Sequence, residues 1–448
     1  MTRGTMAGAA FATMLVLLAL TAVHRALQQD GDRTVVMSLA LTPPTTTAHE
    51  GLLYGRITTD DGEIYEGRLR WGGDEEALWG NYFNGAKEVN PWLAHAPPER
   101  LPKERFSIDV FGIEIAGWDR RINLARPFMA RFGDVARIEP RGRDLRVILK
   151  SGTVFDLDRF GADDVADGVR VWDGTRGVVD IGEWRIRTIE FLPTPRARLG
   201  TGPYPLHGTV HTRHGTFTGL VQWDREQAVG PDVLHGHTAD GELSLRFDSI
   251  RSIARRSGDS SLVTLLDGRE IVLSGTREVG QGNRGIYVDD QRYGRVLISW
   301  EAFERLDFSP GGTGPGYGDF PPGRPLTGSV ITRSGRRLAG RLVYDLDESE
   351  TTETLDAPSH GVNYTIPFGL IASIVRSGLE EGDAPRDRVT LHSDEELQLE
   401  HAGDLGELNA GMLIFSDDRQ HPEYVPWTDV ERVDFDRPAA RYEPRGPR

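Results

Sequence analysis

The chain has no cysteine, and among its 52 basic residues only three are lysine, Lys87, Lys103 and Lys150; the other 49 are arginine. Without cysteine there is no disulfide, no thiolate nucleophile, no Cys-held zinc or iron–sulfur cluster and no lipidated anchor. A Walker A phosphate cradle must end in Gly-Lys-Ser/Thr, and these lysines follow Ala86, Pro102 and Leu149, which excludes it as well. Positive charge is in deficit: 68 acidic residues give a formal net charge of −16. Nucleic-acid backbones are held by clustered Lys and Arg, so no nucleic-acid partner is expected. Helical periodicity is also missing, since no amphipathic run of twelve or more residues follows the N-terminal segment. Glycine (53) and proline (26) are plentiful instead, in 448 residues. At roughly 150 residues per domain, that length suggests about three domains.

One long apolar run exists, at the start. Arg3 and the terminal amine precede Ala7 to Val23, the form of a secretory signal. No small-x-small cleavage site stands at its end: ending at Ala26 puts His24 at the −3 position, and ending at Ala22 puts Leu20 there. The run is only about one residue short of a minimal membrane span, so an uncleaved anchor is the alternative. Residues 1–26 are read as signal peptide or signal anchor, and 27–50, with Thr42-Pro43-Pro44-Thr45, as an extended linker. Either way the expected location is periplasmic or extracellular. Membrane contact is expected only through an uncleaved N-terminal segment.

Beyond it the chain repeats itself. Gly55 to Gly62 with Gly67 and Trp71, Gly208 to Gly215 with Gly219 and Trp223, and Gly328 to Gly335 with Gly340 and Tyr344 are one phrase written three times. Each is a strand, a glycine turn and a second strand with alternating side chains. Each is answered downstream by Phe132 to Ile138, Phe247 to Ile253 and Phe368 to Ile374, and each closes on Trp184…Phe191, Trp300…Phe308 and Trp427…Phe435. Two Pro/Gly-rich spacers, 193–205 and 310–325, separate the copies. The expected fold is therefore all-β. Three tandem repeats, 51–192, 206–309 and 326–437, are followed by a tail at 438–448, and the first repeat carries an insertion at about 79–130.

A strand, a turn, an aromatic, a glycine-hydrophobic strand and Trp-Asp, closed later by Phe-x-x-Ile-x-x-Ile, resembles small SH3-like or Sm-like β-barrels. In the second copy the resemblance rests on Gly215 to Asp224 with Phe247, Ile250 and Ile253. It covers about 50 residues of each repeat and implies that each is built of one or two such barrels. Sm proteins contact RNA through a motif built on Arg-Gly. Arg251-Ser252 stands at that place without the glycine, so the resemblance carries no RNA binding here.

Candidate chemistry is sparse. His207, His211, His214, His235 and His237 crowd the second repeat, and imidazoles of that density suit zinc, copper or nickel. At the matching places of the other repeats His211 is Thr58 or Ile331 and His214 is Asp61 or Ser334, which favours plain strand and turn residues. Trp79, Tyr82, Phe83 and Trp92 open the insertion and are the candidate binding residues, either a sugar-stacking platform and partner hot spot or staples that hold the insertion down. Gly280 to Gly285 spells the dinucleotide fingerprint but precedes the strand-like Ile286-Tyr287-Val288 instead of a helix. Asp289-Asp290 and Asp417-Asp418 read as solvated hairpin tips. No catalytic residue and no cofactor is expected. The function expected is an exported, non-enzymatic cell-envelope protein whose repeats bind or scaffold protein partners or envelope polymer. A carbohydrate- or peptidoglycan-active protein using the insertion, with Asp109, Glu114 and Asp119 nearby, is the alternative, and a His-rich metal carrier the third.

Overall fold

Short alternating stretches, each ended by a glycine turn, leave the backbone to find its hydrogen bonds in neighbouring strands. The computed structural model describes residues 49–72, 75–79, 82–87, 89–97, 103–110, 113–121, 127–158, 168–196, 203–310, 314–377 and 386–438, with only the backbone of 103–121. The signal or anchor segment lies outside the described residues. Thr45 onward forms one compact unit. Its described residues are all-β: they form 32 strands, every pairing between these antiparallel, and the described helical segments are 3-10 turns of three to five residues. Among the described residues no helix is long and apolar enough to cross a membrane.

One pairing scheme recurs in three stretches of the chain. Tyr54–Thr59 lies between Ile64–Trp71 and Ile186–Phe191. His207–Thr212 lies between Gly215–Gln222 and Phe303–Phe308, and Thr327–Thr332 between Arg337–Val343 and Val430–Phe435. The first strand carries a bulge at the same place each time, at Thr58/Thr59, His211/Thr212 and Ile331/Thr332. Beyond the second strand each sheet adds a hairpin: Val169–Ile181, Ile286–Ile298 or Met412–Val425. Beyond the closing strand it adds three more, Val135–Asp158, Ile250–Ser274 or Ile371–Glu400.

These sheets are open, where the SH3-like resemblance implied closed barrels. The remaining hairpin of each stretch is used differently. Tyr82–Ala86 pairs only with Pro127–Arg131. Val233–Arg246 is joined to its own sheet by the single ladder pair His237↔Ser274. Thr354–Pro367 instead joins the second stretch, Arg295↔Thr365 to Ile298↔Val362, making one sheet of 12 strands. The first hairpin also narrows the insertion. Its two strands occupy the place of Val233–Arg246 and Thr354–Pro367, so only 87–126 is extra.

The third glycine of the phrase is there for space. A Cβ on Gly67, Gly219 or Gly340 would sit 2.0, 1.9 or 2.2 Å from the carbonyl oxygen of Trp172, Asp289 or Phe415 on the crossing strand. No L side chain fits at that separation without moving backbone. Gly219→Ala is therefore expected to lose about 2–3 kcal/mol by overpacking, read as a lower urea midpoint at unchanged slope.

Two large cores result. One runs without interruption through the second and third stretches, around Trp223, Phe247, Phe303, Tyr344 and Phe368. The other fills the first stretch around Trp71, Phe83 and Phe132. It also takes in Phe320 from the second Pro/Gly spacer, so that spacer is packed against the first stretch. Lys150 fastens it: the ammonium donates to the carbonyl oxygens of Tyr317 and Phe320 and lies 3.4 Å from the centre of the Tyr317 ring. The Tyr317 hydroxyl in turn donates to the Val135 carbonyl at 2.9 Å.

Candidate functional site

The expected aromatic platform is not exposed. Trp79, Tyr82 and Phe83 are 1%, 2% and 0% accessible. The Phe83 ring meets Trp71 edge-on at 5.6 Å and Phe132 at 6.1 Å, as core rings do. Trp92 packs on the third stretch, edge-on to Phe415 at 5.9 Å and with Arg341 5.4 Å from its ring. The short turn Pro91–His95 that carries it seals a small apolar cluster with Val343, Leu346 and Leu413. Hydrophobic density made these rings conspicuous in the sequence for the same reason that folding hides them. Asp109, Glu114 and Asp119 lie on the inserted hairpin, whose side chains fall outside the described residues.

The five histidines do not converge. His207 and His211 share a strand face, but His207 bonds Ser309 at 2.8 Å and His211 faces Asp307 at 3.2 Å. His235 pairs with Glu278 at 3.1 Å, and His237 lies against Gly275. His214 stacks on His360 of the third stretch, ring centres 4.0 Å apart. Among the described residues no group of three or more His, Asp or Glu is arranged to hold a metal ion. The fingerprint-like Gly280 to Gly285 does structural work: Asn283 donates to the Glu278 carbonyl and accepts from the Gly285 N–H, at 2.9 and 2.8 Å. A strand, Ile286–Asp290, follows it and no helix N-terminus.

Where the three stretches meet there is an open cleft of about 1100 Å³. Arg131 reaches it from the first stretch, Asp289 and Arg292 from the second, Thr351 from the third, and Pro315 and Pro321 from the spacer. Of the residues singled out in the sequence, His207, Gly219, Asp289 and Asp290 line this cleft. Trp79 backs its wall, within 3.6 Å of where a Cβ on Gly314 would stand.

Asp289 and Asp290 are the correction that matters here. Both read as solvated hairpin tips, and neither is one. Asp290 is 1% accessible and fully engaged. It accepts from the Thr218 N–H at 2.9 Å and from both arms of the Arg292 guanidinium at 2.9 and 2.7 Å. Asp289, half-buried on the opposite face of the strand, also lines the cleft. Burial pushes its carboxyl up to about 6, against the pull of Arg131 and Arg295. The alternation Ile286, Val288, Asp290 inward was the available signal, since it puts Asp289 on the opposite face of the strand.

This carboxyl makes stability depend on pH. Its value in the folded chain is raised to about 6, so folding favours the protonated form. Its contribution is fully present below about pH 4 and is lost as the pH rises through about 6. Asp289→Asn should then stabilise the chain at pH 7.5, by up to about 3 kcal/mol, and give no gain at pH 4. Thermal melts of both chains at the two pH values measure it.

Compared with protein-family models, with curated proteins and with solved structures, the chain finds no match. Function has to be read from the site itself.

Proposed function

We propose that this chain is an exported, non-enzymatic protein of the bacterial cell envelope that binds or scaffolds a partner, with three tandem copies of one β unit enclosing the binding cleft. The observation that carries the reading is the composition of the cleft. Its wall takes residues from all three stretches and from the spacer between the second and third, so no single unit supplies it. Concave sites at the junction of packed units are where ligands most often bind. Export rests on the apolar Ala7–Val23 segment behind Arg3.

Localisation of a C-terminally tagged full-length chain, with N-terminal sequencing of the mature form, tests the first half. A mature protein starting near residue 27, or an intact one in the membrane fraction, is expected; an intact cytoplasmic chain sinks export. The second half is tested by a photo-crosslinking residue at Thr352 on the cleft wall, compared with one at the exposed Glu242 away from it. Crosslinks specific to Thr352 are expected, and equal patterns from both sites overturn the cleft. A carbohydrate-active reading draws on one observation, the protonatable Asp289 in the same cleft. It predicts release of soluble sugar from purified peptidoglycan, abolished by Asp289→Asn.

A further inference from the structure

The charges of the cleft are almost all satisfied from within the protein. Arg131 donates to Asp134 at 2.7 Å and its guanidinium lies 5.3 Å from the Phe320 ring centre. Arg292 is spent on Asp290, with a further bond to the Thr216 carbonyl at 2.8 Å. Asp319 accepts the Gly316 N–H at 2.9 Å and thereby fixes the spacer's turn. His207 is held by Ser309. Asp289 differs: no described residue donates a hydrogen bond to its carboxylate, and burial together with the fields of neighbouring charges, Arg131 and Arg295 foremost, acts on it. A half-buried carboxylate with no donor from the protein can accept one from a ligand that enters the cleft.

What surrounds Asp289 narrows the class of that arrival. Pro315, Pro321, Pro322, Pro367 and Pro438 line the cleft with rigid apolar rings that give no N–H. No Phe, Tyr or Trp among the described residues lines it, so a sugar finds no aromatic face to stack on. A phosphate-bearing polymer finds Arg131 and Arg292 already taken, Arg324 at the exposed rim, and a carboxylate in its way. An extended peptide suits these walls, because the rigid proline rings offer apolar surface that is already ordered and loses no side-chain freedom when a strand packs on it. A guanidinium or ammonium on that strand suits Asp289. The net charge of −16 also draws a cationic segment toward the protein.

Building on the reading of the cleft as the binding site, we propose that its ligand is an extended, basic peptide strand whose arginine or lysine side chain is received by Asp289. The other cleft charges hold the walls in place, and Asp289 is the group that recognises. Since the carboxyl titrates near 6, affinity for such a strand falls as the pH drops below that value.

The test uses fluorescent (Arg-Pro)4 and (Gln-Pro)4 peptides with the folded mature chain, read by anisotropy at physiological salt. The basic peptide is expected to bind at least about 10-fold more tightly than the neutral one, and Asp289→Asn to erase that difference. Thr352→Trp, which narrows the cleft, is expected to weaken both. The asparagine variant folds at least as well as the parent by the argument above, and its melting temperature checks this. Unchanged binding of (Arg-Pro)4 to either variant puts the basic strand elsewhere and overturns the proposal. Equal binding of the two peptides, lost in Thr352→Trp, overturns the preference for charge while leaving the cleft as the site. Binding of neither peptide removes both the proposal and the peptide-binding reading of the cleft.

Discussion

Replacing Lys87 by methionine is expected to cost about 3–5 kcal/mol of folding stability, the usual result of removing one partner from a buried ion pair. Lys87 is 7% accessible and stands where the first stretch meets the third. Its ammonium lies 2.8 Å from an Asp347 carboxylate oxygen and 3.2 Å from one of Glu353. Burial alone would lower the lysine's pKa, but Glu353 and Asp347 raise it above the ordinary value and keep it charged. Glu348, close by, is held far above the usual carboxylate range by burial and by Asp347, Asp404 and Asp345. Methionine keeps the length of the stem and removes the charge. The buried carboxylates of Asp347 and Glu353 then lose the ammonium that faces them, next to Glu348, whose carboxyl burial already holds far above the ordinary range. A urea titration measures the loss. Adding Asp347→Asn and Glu353→Gln to Lys87→Met should recover most of it, and recovery to parental stability identifies charge, not packing, as the cause. A loss under about 1 kcal/mol would mean that the pair is wetter than its exposure implies.

Phe320→Ala should be of similar size, about 3–5 kcal/mol, because it empties a filled site in the core of the first stretch. The ring is 6% accessible and stands so close to Gly133 that a Cβ there would meet it at 2.4 Å. The physical interest lies in where Phe320 comes from. It belongs to a spacer rich in glycine and proline, which cannot form a ladder and is attached by this ring, by Tyr317 and by the hold of Lys150 on two carbonyls. Losing the ring should free the spacer before it unfolds the sheets. Limited chymotrypsin digestion is then expected to cut after Tyr317, within the spacer, faster in Phe320→Ala than in the parent, with Phe320→Leu in between. Cutting at the parental rate would show that Lys150 and Tyr317 suffice.

The recurrent glycines and the closing Trp…Phe pairs made the all-β class legible from the sequence, because both follow from strand geometry and local chemistry. The third glycine of each phrase is the clearest case, since its cause is a single carbonyl on a crossing strand. Tyr82 and Phe83 were harder. Their strand partner, Pro127–Arg131, follows only after the inserted segment, so a hairpin that is contiguous in the other stretches looked like part of the insertion. Trp184 shows the same limit from the other side: its counterparts Trp300 and Trp427 are buried at 2% and 3%, whereas it is 63% accessible. The cleft was not legible at all. It is made of residues far apart in the chain, and its one unsatisfied carboxylate is Asp289, next in sequence to an aspartate with a purely structural role. Alternation separates the two, but only the packing of three stretches around the spacer decides which face becomes a site.

Scarcity of lysine, finally, gives the molecule a chemical reporter. An amine-acylating reagent has three side-chain targets in the whole chain, and two of them, Lys87 and Lys150, are the fasteners between parts distant in sequence. Each must let go of its partners before it can react, so the acylation rate at each, read by mass spectrometry, reports how often that fastening opens. Each acylation also removes the charge that closed it, so the reagent both counts the openings and makes them permanent.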